Sequence, residues 1–560
     1  MLHASGSLLT VDAGERTVET ENIDAELRNF IGGRGVATKL AHDRIPFDAD
    51  PLGPENRAYI SSGPLQQSDM SFTGRMNMTG VSPLTGGLLS SNAGGYLSRN
   101  FVGTGHSVVE VTGESDELLA IHVTDDGVEF EEVPELEGAD VREVTELMNE
   151  RHGLESENLV TIGPAGENEV RFASVMTYND RAFGRGGLGA ILGSKNVKCL
   201  SFEGDSDPEI EMPNTDAQMD VHRQAATSDD IFRRQGTTHL VQILNDNFSL
   251  PTRYYSEQSF EGAEQINGDR IEEKKYKKAA CSVCAFACKL PTRDEETGFE
   301  TEGPEYETIF AFGSNSGVDD LLDIMKSNDL CDKLGMDTIS CGNTIAAYLA
   351  SEDEFGHADL IHELIEKIAY REGVGDDLAE GIARVHEDLA VDNWTVKGMD
   401  FAAHDGRVVH GQGLSYAVSN RGADHMFSTT MIPEYNDDIP AEGTAGKAQF
   451  VIDNENRNAI RDSAVLCQFG LGRIIESEAF EAIFAEPYEE LLSIGNRIVN
   501  LERHFNNHRG VDSDDDTLPY TIPDLEASIQ EYYEARGWTD DGIVPDELVS
   551  ADGGVEAGAD

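Results

Sequence analysis

Through roughly the first 205 residues, apolar and polar positions alternate in short runs broken by glycine. Ser7–Val11, Thr17–Thr20, His106–Val111, Leu119–Val123 and Val197–Phe202 show this two-residue period, which predicts strands joined by turns. From about residue 206 the period lengthens. Asp319–Leu334, Ile339–Ala350, His357–Arg371 and Leu378–Leu389 carry apolar residues three and four apart, which predicts amphipathic helices. Ile345–Ala350 is apolar enough for burial, and further helical patterns lie at Gly446–Ala459 and Tyr488–Phe505. The expected class is α+β: a β-rich amino-terminal domain with two layered sheets, followed by two mostly α-helical domains. The expected limits are 1–205, 206–398 and 399–545, with an acidic mobile tail at 546–560. There is no fixed-period repeat of solenoid type.

Charge adds a constraint on the setting. The 560 residues include 105 acidic and 42 basic side chains, a net charge of −63, and the acid is spread along the whole length. Arginine outnumbers lysine 29 to 13. An acidic surface over ordinary cores is expected of a halophilic protein, because high salt screens the repulsion. No broad basic stripe exists to neutralise phosphates, so nucleic-acid binding is not expected. No basic region or apolar run for export opens the chain, and no stretch of about 18 apolar residues appears. The expected location is the cytoplasm, with no membrane contact. Seven cysteines in 560 residues are too sparse for a disulfide scaffold.

Three of those cysteines, Cys281, Cys284 and Cys288, are closely spaced, and a fourth, Cys467, lies far downstream. If the first stretch is helical, 100° per residue places its thiols within a sector of roughly 60°. Three thiolates closed by a remote fourth suit a cubane iron–sulfur cluster, and so single-electron transfer. Zinc fits less well, since no paired clamp or nearby histidine completes a site. The radical-generating clusters use the opposite order of gaps. Just upstream, Lys274–Lys278 concentrates four of the 13 lysines, either as a solvated helix face or as a docking patch for an acidic electron carrier.

Two acidic motifs share one layout. Asp332-Lys-Leu-Gly-Met-Asp337 has acids five apart, and Asp462-Ser-Ala-Val-Leu-Cys467 repeats the spacing with cysteine last. The leading carboxylate of each suits the NH groups of a large heterocycle, and paired motifs suggest paired heterocycles. Gly184-Arg-Gly-Gly-Leu-Gly189 matches the dinucleotide pattern G-x-G-x-x-G only literally. A polar stretch precedes it and no sustained helix follows, so NAD or FAD binding is not expected. Gly193-Ser-Lys195 likewise fails the P-loop.

With the cysteines and both acidic motifs, Glu302-Gly-Pro-Glu-Tyr-Glu-Thr308 and Asn420-Arg-Gly-Ala-Asp-His425 complete a pattern that resembles the aldehyde:ferredoxin oxidoreductases. Gly32–Gly35, Thr73–Asn77, Ser90–Gly95 and Asp180–Gly187 extend the resemblance to the amino-terminal part, in the right order. It implies a tungsten or molybdenum atom between two molybdopterins, beside one [4Fe–4S] cluster. Cys281, Cys284, Cys288 and Cys467 would ligate the cluster. Asp332 and Asp337 would bind one pterin, and Asp462 the other. Arg75, Asn92, Gly94, Arg181 and Ala182 would meet the pterin phosphates and the magnesium that joins them. Val465 departs from the motif's best-known form, which has glycine there; this would alter pterin packing without removing a polar contact.

The resemblance further implies oxidation of aldehydes to carboxylic acids, with ferredoxin as acceptor. It allows a homodimer without requiring one. Glu307 and His425 are the expected acid–base groups, with Glu305 the rival to Glu307, and Tyr306 and Tyr416 shape the pocket. The alternatives are a related tungsten or molybdenum enzyme acting on a sugar-phosphate aldehyde or an activated carboxylate, and an electron-transfer protein that holds only a cluster.

Overall fold

The computed structural model describes residues 1–550 apart from 209, 211 and 437; positions 551–560 of the expected tail lie outside the described residues. Twelve strands form two six-stranded mixed sheets in the amino-terminal part. They are β1 (Ser7–Asp12), β2 (Thr17–Asn22), β3 (Ala58–Ser61), β4 (Met76–Val81), β5 (Leu88–Ala93), β6 (His106–Thr112), β7 (Leu119–Val123), β8 (Val128–Glu132), β9 (Leu159–Thr161), β10 (Val175–Thr177), β11 (Arg181–Phe183) and β12 (Val197–Phe202). The first sheet runs β2-β1-β6-β3-β4-β5 and the second β11-β10-β9-β12-β7-β8. Each has one parallel pair, β1 with β6 and β12 with β7, and is otherwise antiparallel.

Alternation explains the layers. Leu9 and Val11 of β1 and Val109 and Val111 of β6 enter one apolar core, which Leu119 and Ile121 of β7 share from the second sheet. The intervening Leu8 and Val108 turn the other way, against Val36 and Leu40 of the helix Gly33–Arg44. In the second sheet Ala120 and Cys199 face outward, onto Val144 and Met148 of the helix Val141–His152. Period two thus serves a sheet covered on both faces. β2 is exposed throughout, an edge strand kept polar by threonine and glutamate.

The remaining chain is mostly helical, as the three- and four-residue spacing predicts. The expected helices appear at Leu321–Leu334, Thr338–Glu352, Ala358–Ala369, Ala448–Ser463 and Tyr488–His508. The pattern at Leu378–Leu389 needs correction. It is two helices, Val374–Leu378 and Ile382–Leu389, because the chain turns at Ala379–Gly381 to pass under the loop before β5. Ile345, Ala346, Ala347 and Leu349 are fully buried. The first core continues from the sheets into Ile309, Ile324 and Ile345, so the helices grow out of the β layers. A second core gathers Val221, Phe232, Leu414 and the long helices after residue 447. Asp546–Leu548 makes a short 3-10 turn whose Leu548 packs on that second core. Among the described residues no helix is long and apolar enough to cross a membrane.

A net charge of −63 on this fold makes its stability salt-dependent. Raising KCl from 0.1 to 1 M shortens the screening length from about 10 to about 3 Å, so self-repulsion weakens. The unfolding temperature is expected to climb across that range, as read by circular dichroism. A flat or falling curve would refute the halophilic reading.

Candidate functional site

The cysteine run follows the helix Gly268–Lys274, but it is not itself helical. Cys281–Cys288 is a string of turns with Ser282 and Ala287 at φ of 42° and 50°. The helical arc expected for its thiols is therefore replaced by a loop wrapped around a point. Local contacts fix that loop. Cys284 N–H donates to the Cys281 carbonyl (3.0 Å), and Ala285 N–H donates to Ser71 Oγ (3.0 Å). Phe286 is fully buried and packs on Phe72, with ring centroids 5.3 Å apart. Phe72 also brings in the fourth cysteine, since its carbonyl accepts from Cys467 N–H at 2.8 Å.

All four cysteines line one cavity of about 350 Å³. Burial, then the nearby sulfurs of Cys467, Cys281 and Cys284, push the Cys288 thiol well above its ordinary pKa. Such a crowd of sulfurs ionises together only around a cationic centre. Among the described residues no three of these thiols lie within 4.8 Å of one another. One tetrahedral zinc, with bonds of about 2.3 Å, would draw its thiolates to about 3.8 Å. The wider spread suits a cluster of several irons. Arg75 adjoins the group, its Nη2 lying 3.6 Å from Cys467 Sγ while Nη1 donates to the Asn92 carbonyl at 3.1 Å. Gly94 is close-packed here, as a Cβ on it would lie 3.2 Å from Cys281 Sγ.

The two acidic motifs line the same cavity and share a backbone device. In the first, Gly335 ends the helix Leu321–Leu334 in the left-handed region at φ 75°, and Asp337 then caps the next helix by accepting from Ser340 N–H at 2.8 Å. Asp332, one turn earlier, accepts from Asn328 Nδ2 (3.1 Å), the one hydrogen bond to its carboxyl group among the described residues. In the second, Val465 takes glycine's place and glycine's conformation, at φ 52°. That costs a β-branched residue about 1–3 kcal/mol. Neighbouring glycines accommodate the turn: a Cβ on Gly33 would lie 2.4 Å from the Asp462 carbonyl, and one on Gly63 2.7 Å from Val465 Cγ2.

Asp462 is held from three sides. Asn92 Nδ2 donates to its Oδ1 at 3.0 Å, Arg461 Nε to the same oxygen at 2.8 Å, and Arg34 Nη1 to Oδ2 at 3.3 Å. Asn77 in turn fixes Asn92, donating to its Oδ1 at 2.7 Å. Burial, then Asp180 and Asp329, raise the Asp332 carboxyl well above the usual range. The folded chain thus binds more protons than the unfolded one, so this group's contribution to apoprotein stability falls as pH rises from the ordinary carboxylate value. Asp332→Asn is expected to stabilise the apoprotein at pH 7, by a margin that shrinks toward pH 4. Urea midpoints at the two pH values check this, and a pH-independent margin would contradict it.

Glu307 and His425 line the same cavity. Glu307 Oε2 accepts from Ala403 N–H at 2.9 Å, while Oε1 faces His404 Nε2 at 3.3 Å and His425 Nε2 at 3.5 Å. Burial raises the Glu307 carboxyl above its ordinary value, and His425 opposes part of that rise. Burial, then His425, hold the His404 imidazole well below its ordinary value, so it is neutral. Tyr306 stacks on His404 and donates to the Ala403 carbonyl (2.8 Å), and Tyr416 donates to the His404 carbonyl (2.9 Å). Glu305 takes a different place. It is 56% exposed and pairs with Arg181 Nη1 at 3.3 Å, so of the two rivals only Glu307 meets the histidines.

Every site residue expected from the sequence lines this cavity. The fork of Arg181 is engaged by Glu302 (2.5 Å) and Glu305, and its Nε faces Asp180 Oδ1 at 3.7 Å without a hydrogen bond among the described residues. Arg34, Asn77, Arg185, His404, Arg421 and Arg461 escaped sequence reasoning. Arg34, Asn77, Arg185 and Arg421 lie inside the quoted motifs, Gly32–Gly35, Thr73–Asn77, Asp180–Gly187 and Asn420–His425, and those motifs were the available signal. His404 has none, because only folding brings residue 404 to residue 307. Arg185 Nη1, Arg421 Nε, His425 Nδ1 and Gln468 Oε1 are also buried without a hydrogen-bond partner among the described residues. Each such atom costs about 1–3 kcal/mol unless something polar meets it. These donors and acceptors, with Asp332 and the four thiols, fit a large polar cofactor beside an iron–sulfur cluster.

A cavity lined by four thiols, buried carboxyl groups and a Glu–His pair has the chemistry a redox enzyme needs. Residues 8–204 match the family model for the aldehyde ferredoxin oxidoreductase N-terminal domain, and residues 214–551 that for its domains 2 and 3. The chain is 33% identical to the tungsten-containing aldehyde ferredoxin oxidoreductase of Pyrococcus furiosus and 34% to that of Thermococcus kodakarensis, covering 97% of each chain in both cases. It is 28% identical to the WOR-like subunit of an aliphatic sulfonate oxidoreductase of P. furiosus, over 99% of this chain and 97% of that one. The fold matches the solved BamBC active-site complex of benzoyl coenzyme A reductase, bound to 1,5-dienoyl-CoA, with a TM-score of 0.83 at 20% identity, over 99% of this chain and 98% of that one. The chain belongs to the aldehyde ferredoxin oxidoreductase family and is an oxidoreductase.

Proposed function

We propose that the protein oxidises aldehydes to carboxylic acids at a tungsten- or molybdenum-bis-molybdopterin centre and passes the electrons through a [4Fe–4S] cluster to ferredoxin. The supporting observation is Glu307 Oε1, set between two imidazoles in the cavity that the four cysteines line. Cys281, Cys284, Cys288 and Cys467 would hold the cluster, with Asp332 and Asp337 toward one pterin and Asp462 toward the other. Arg75, Asn92, Gly94, Arg181 and Ala182 would lie toward the phosphates and their magnesium. When bound, the metal–pterin centre supplies a Lewis acid and a two-electron sink, and the cluster a one-electron outlet.

The reaction balances as RCHO + H₂O → RCOOH + 2H⁺ + 2e⁻. The chain's own share is protonic. Glu307 Oε1 accepts a proton from the oxygen that adds to the carbonyl carbon, and His425 stabilises the carboxylate before the transfer. Neutral His404 orients the pair without adding charge. Tyr306 and Tyr416, hydrogen-bonded to the loop at 403–404, keep the three side chains in register.

The test is an activity screen on metal-replete protein, with aldehydes of increasing size and ferredoxin or a viologen dye as acceptor. Elemental analysis accompanies it, with about four irons and one tungsten or molybdenum expected per chain. Turnover of a sulfonate or an acyl-coenzyme A in preference to every aldehyde would move the reading to another branch of the family. Iron without tungsten or molybdenum would reduce it to electron transfer.

A further inference from the structure

Outside the cavity, three potential ligands converge on the outer face of the second sheet. His122 is on β7, Glu131 on the neighbouring β8, and His152 is the last residue of the helix Val141–His152 that covers this face. Their ligand atoms all lie within 4.8 Å of one another. Both imidazole Nε2 atoms point at one oxygen, Glu131 Oε2, at 3.1 Å from His122 and 2.8 Å from His152. Ligand atoms around a tetrahedral zinc with bonds of about 2.0–2.1 Å are about 3.3 Å apart, so modest opening would admit the ion.

The surroundings resemble those of a metal site. His122 Nδ1 is 2.8 Å from Ser201 Oγ on β12, which fixes the ring and allows Nε2 to present a lone pair. The second carboxylate oxygen of Glu131 accepts from Arg151 Nη1 at 2.7 Å, leaving Oε2 for the ion. His122 is buried while His152 is 36% exposed, so the cluster is anchored on one side and open to solvent on the other. None of the three residues lines the redox cavity.

We propose that His122, Glu131 and His152 form a second metal site, for a zinc-class divalent ion, with water in the remaining position. Two imidazoles and one carboxylate select zinc, nickel or copper over magnesium or calcium. The ion ties the end of the helix Val141–His152 to β7 and β8, beside the small apolar core under that helix. Its role is structural, because it joins the end of that helix to two strands outside the redox cavity.

The test uses the holoenzyme with its own metals in place. Wild type, His152→Asn and His122→Asn are equilibrated with micromolar zinc, desalted, and analysed for metals. Wild type is expected to keep one zinc per chain that both variants lose, with iron content and oxidoreductase turnover unchanged. Zinc is expected to raise the unfolding temperature of wild type only. Cobalt in its place should give the visible bands of a four-coordinate ion without sulfur ligands. His152 is at the surface, so its variant keeps the proposal testable even if His122→Asn fails to fold. Equal zinc in wild type and His152→Asn, or none in wild type, would overturn the site.

Discussion

Glu307→Gln is expected to lower kcat on aldehydes by about 10²–10⁴-fold, the usual range for loss of a positioned proton acceptor. Glutamine keeps an oxygen for Ala403 N–H, which Glu307 now meets at 2.9 Å, so the loop carrying His404 should stay in place. Iron and tungsten or molybdenum contents should not change, because no cluster or pterin ligand is touched. KM should move little, since the lost group acts on a proton in flight rather than on the bound substrate. Full turnover in metal-replete Glu307→Gln would remove the residue from the mechanism.

A pH profile separates this role from a structural one. Burial raises the Glu307 carboxyl, and the acceptor works only when deprotonated. The acid limb of kcat/KM should therefore rise with pH through a value above the ordinary glutamate pKa of about 4.3. That limb should vanish in the glutamine variant. The same shift has the opposite sign for stability. The folded apoprotein binds the extra proton, so the contribution of Glu307 falls as pH rises through that window.

The second large effect concerns a buried ion-pair network rather than the proton acceptor. Arg34→Met should destabilise the apoprotein by about 3–5 kcal/mol, because it strands buried carboxylates. Arg34 is 1% exposed, donates through Nε and Nη2 to both oxygens of Glu502 at 2.7 Å each, and reaches Asp462 with Nη1. Its guanidinium lies 3.4 Å from the centroid of Phe427. Burial works against its charge, but Glu502 and then Asp462 more than offset that, raising its pKa. The expected readouts are a lower urea midpoint and a loss of pterin-bound metal, since Asp462 loses one of its three anchors. Pairing Arg34→Met with Glu502→Leu should restore much of the stability but not the metal content. An unshifted midpoint in the single variant would show that the network carries no load.

The fold was legible wherever one period persisted. Leu9, Val11, Val109 and Val111 fall on the core side of strands because alternation leaves them no other choice. The long helices followed from three- and four-residue spacing over several turns. The Leu378–Leu389 pattern failed because spacing registers which residues want burial, and not that the chain must turn at Ala379–Gly381. The cysteine loop failed for a related reason. A run of alanine, phenylalanine and cysteine reads as helix-compatible, yet contacts with Ser71 and Phe72, some 210 positions earlier, hold it in turns.

The chain's own order of residues thus settled the class of elements, the two matched acidic motifs and the identity of the sulfur and carboxylate groups. All of these are local properties, written in spacing and side-chain chemistry. Only the tertiary structure decided that Glu307 rather than Glu305 faces His425, that His404 joins them, and that Arg34 steadies Asp462. Those choices depend on which distant segments share one desolvated space, and burial and pairing there set each group's charge and reach.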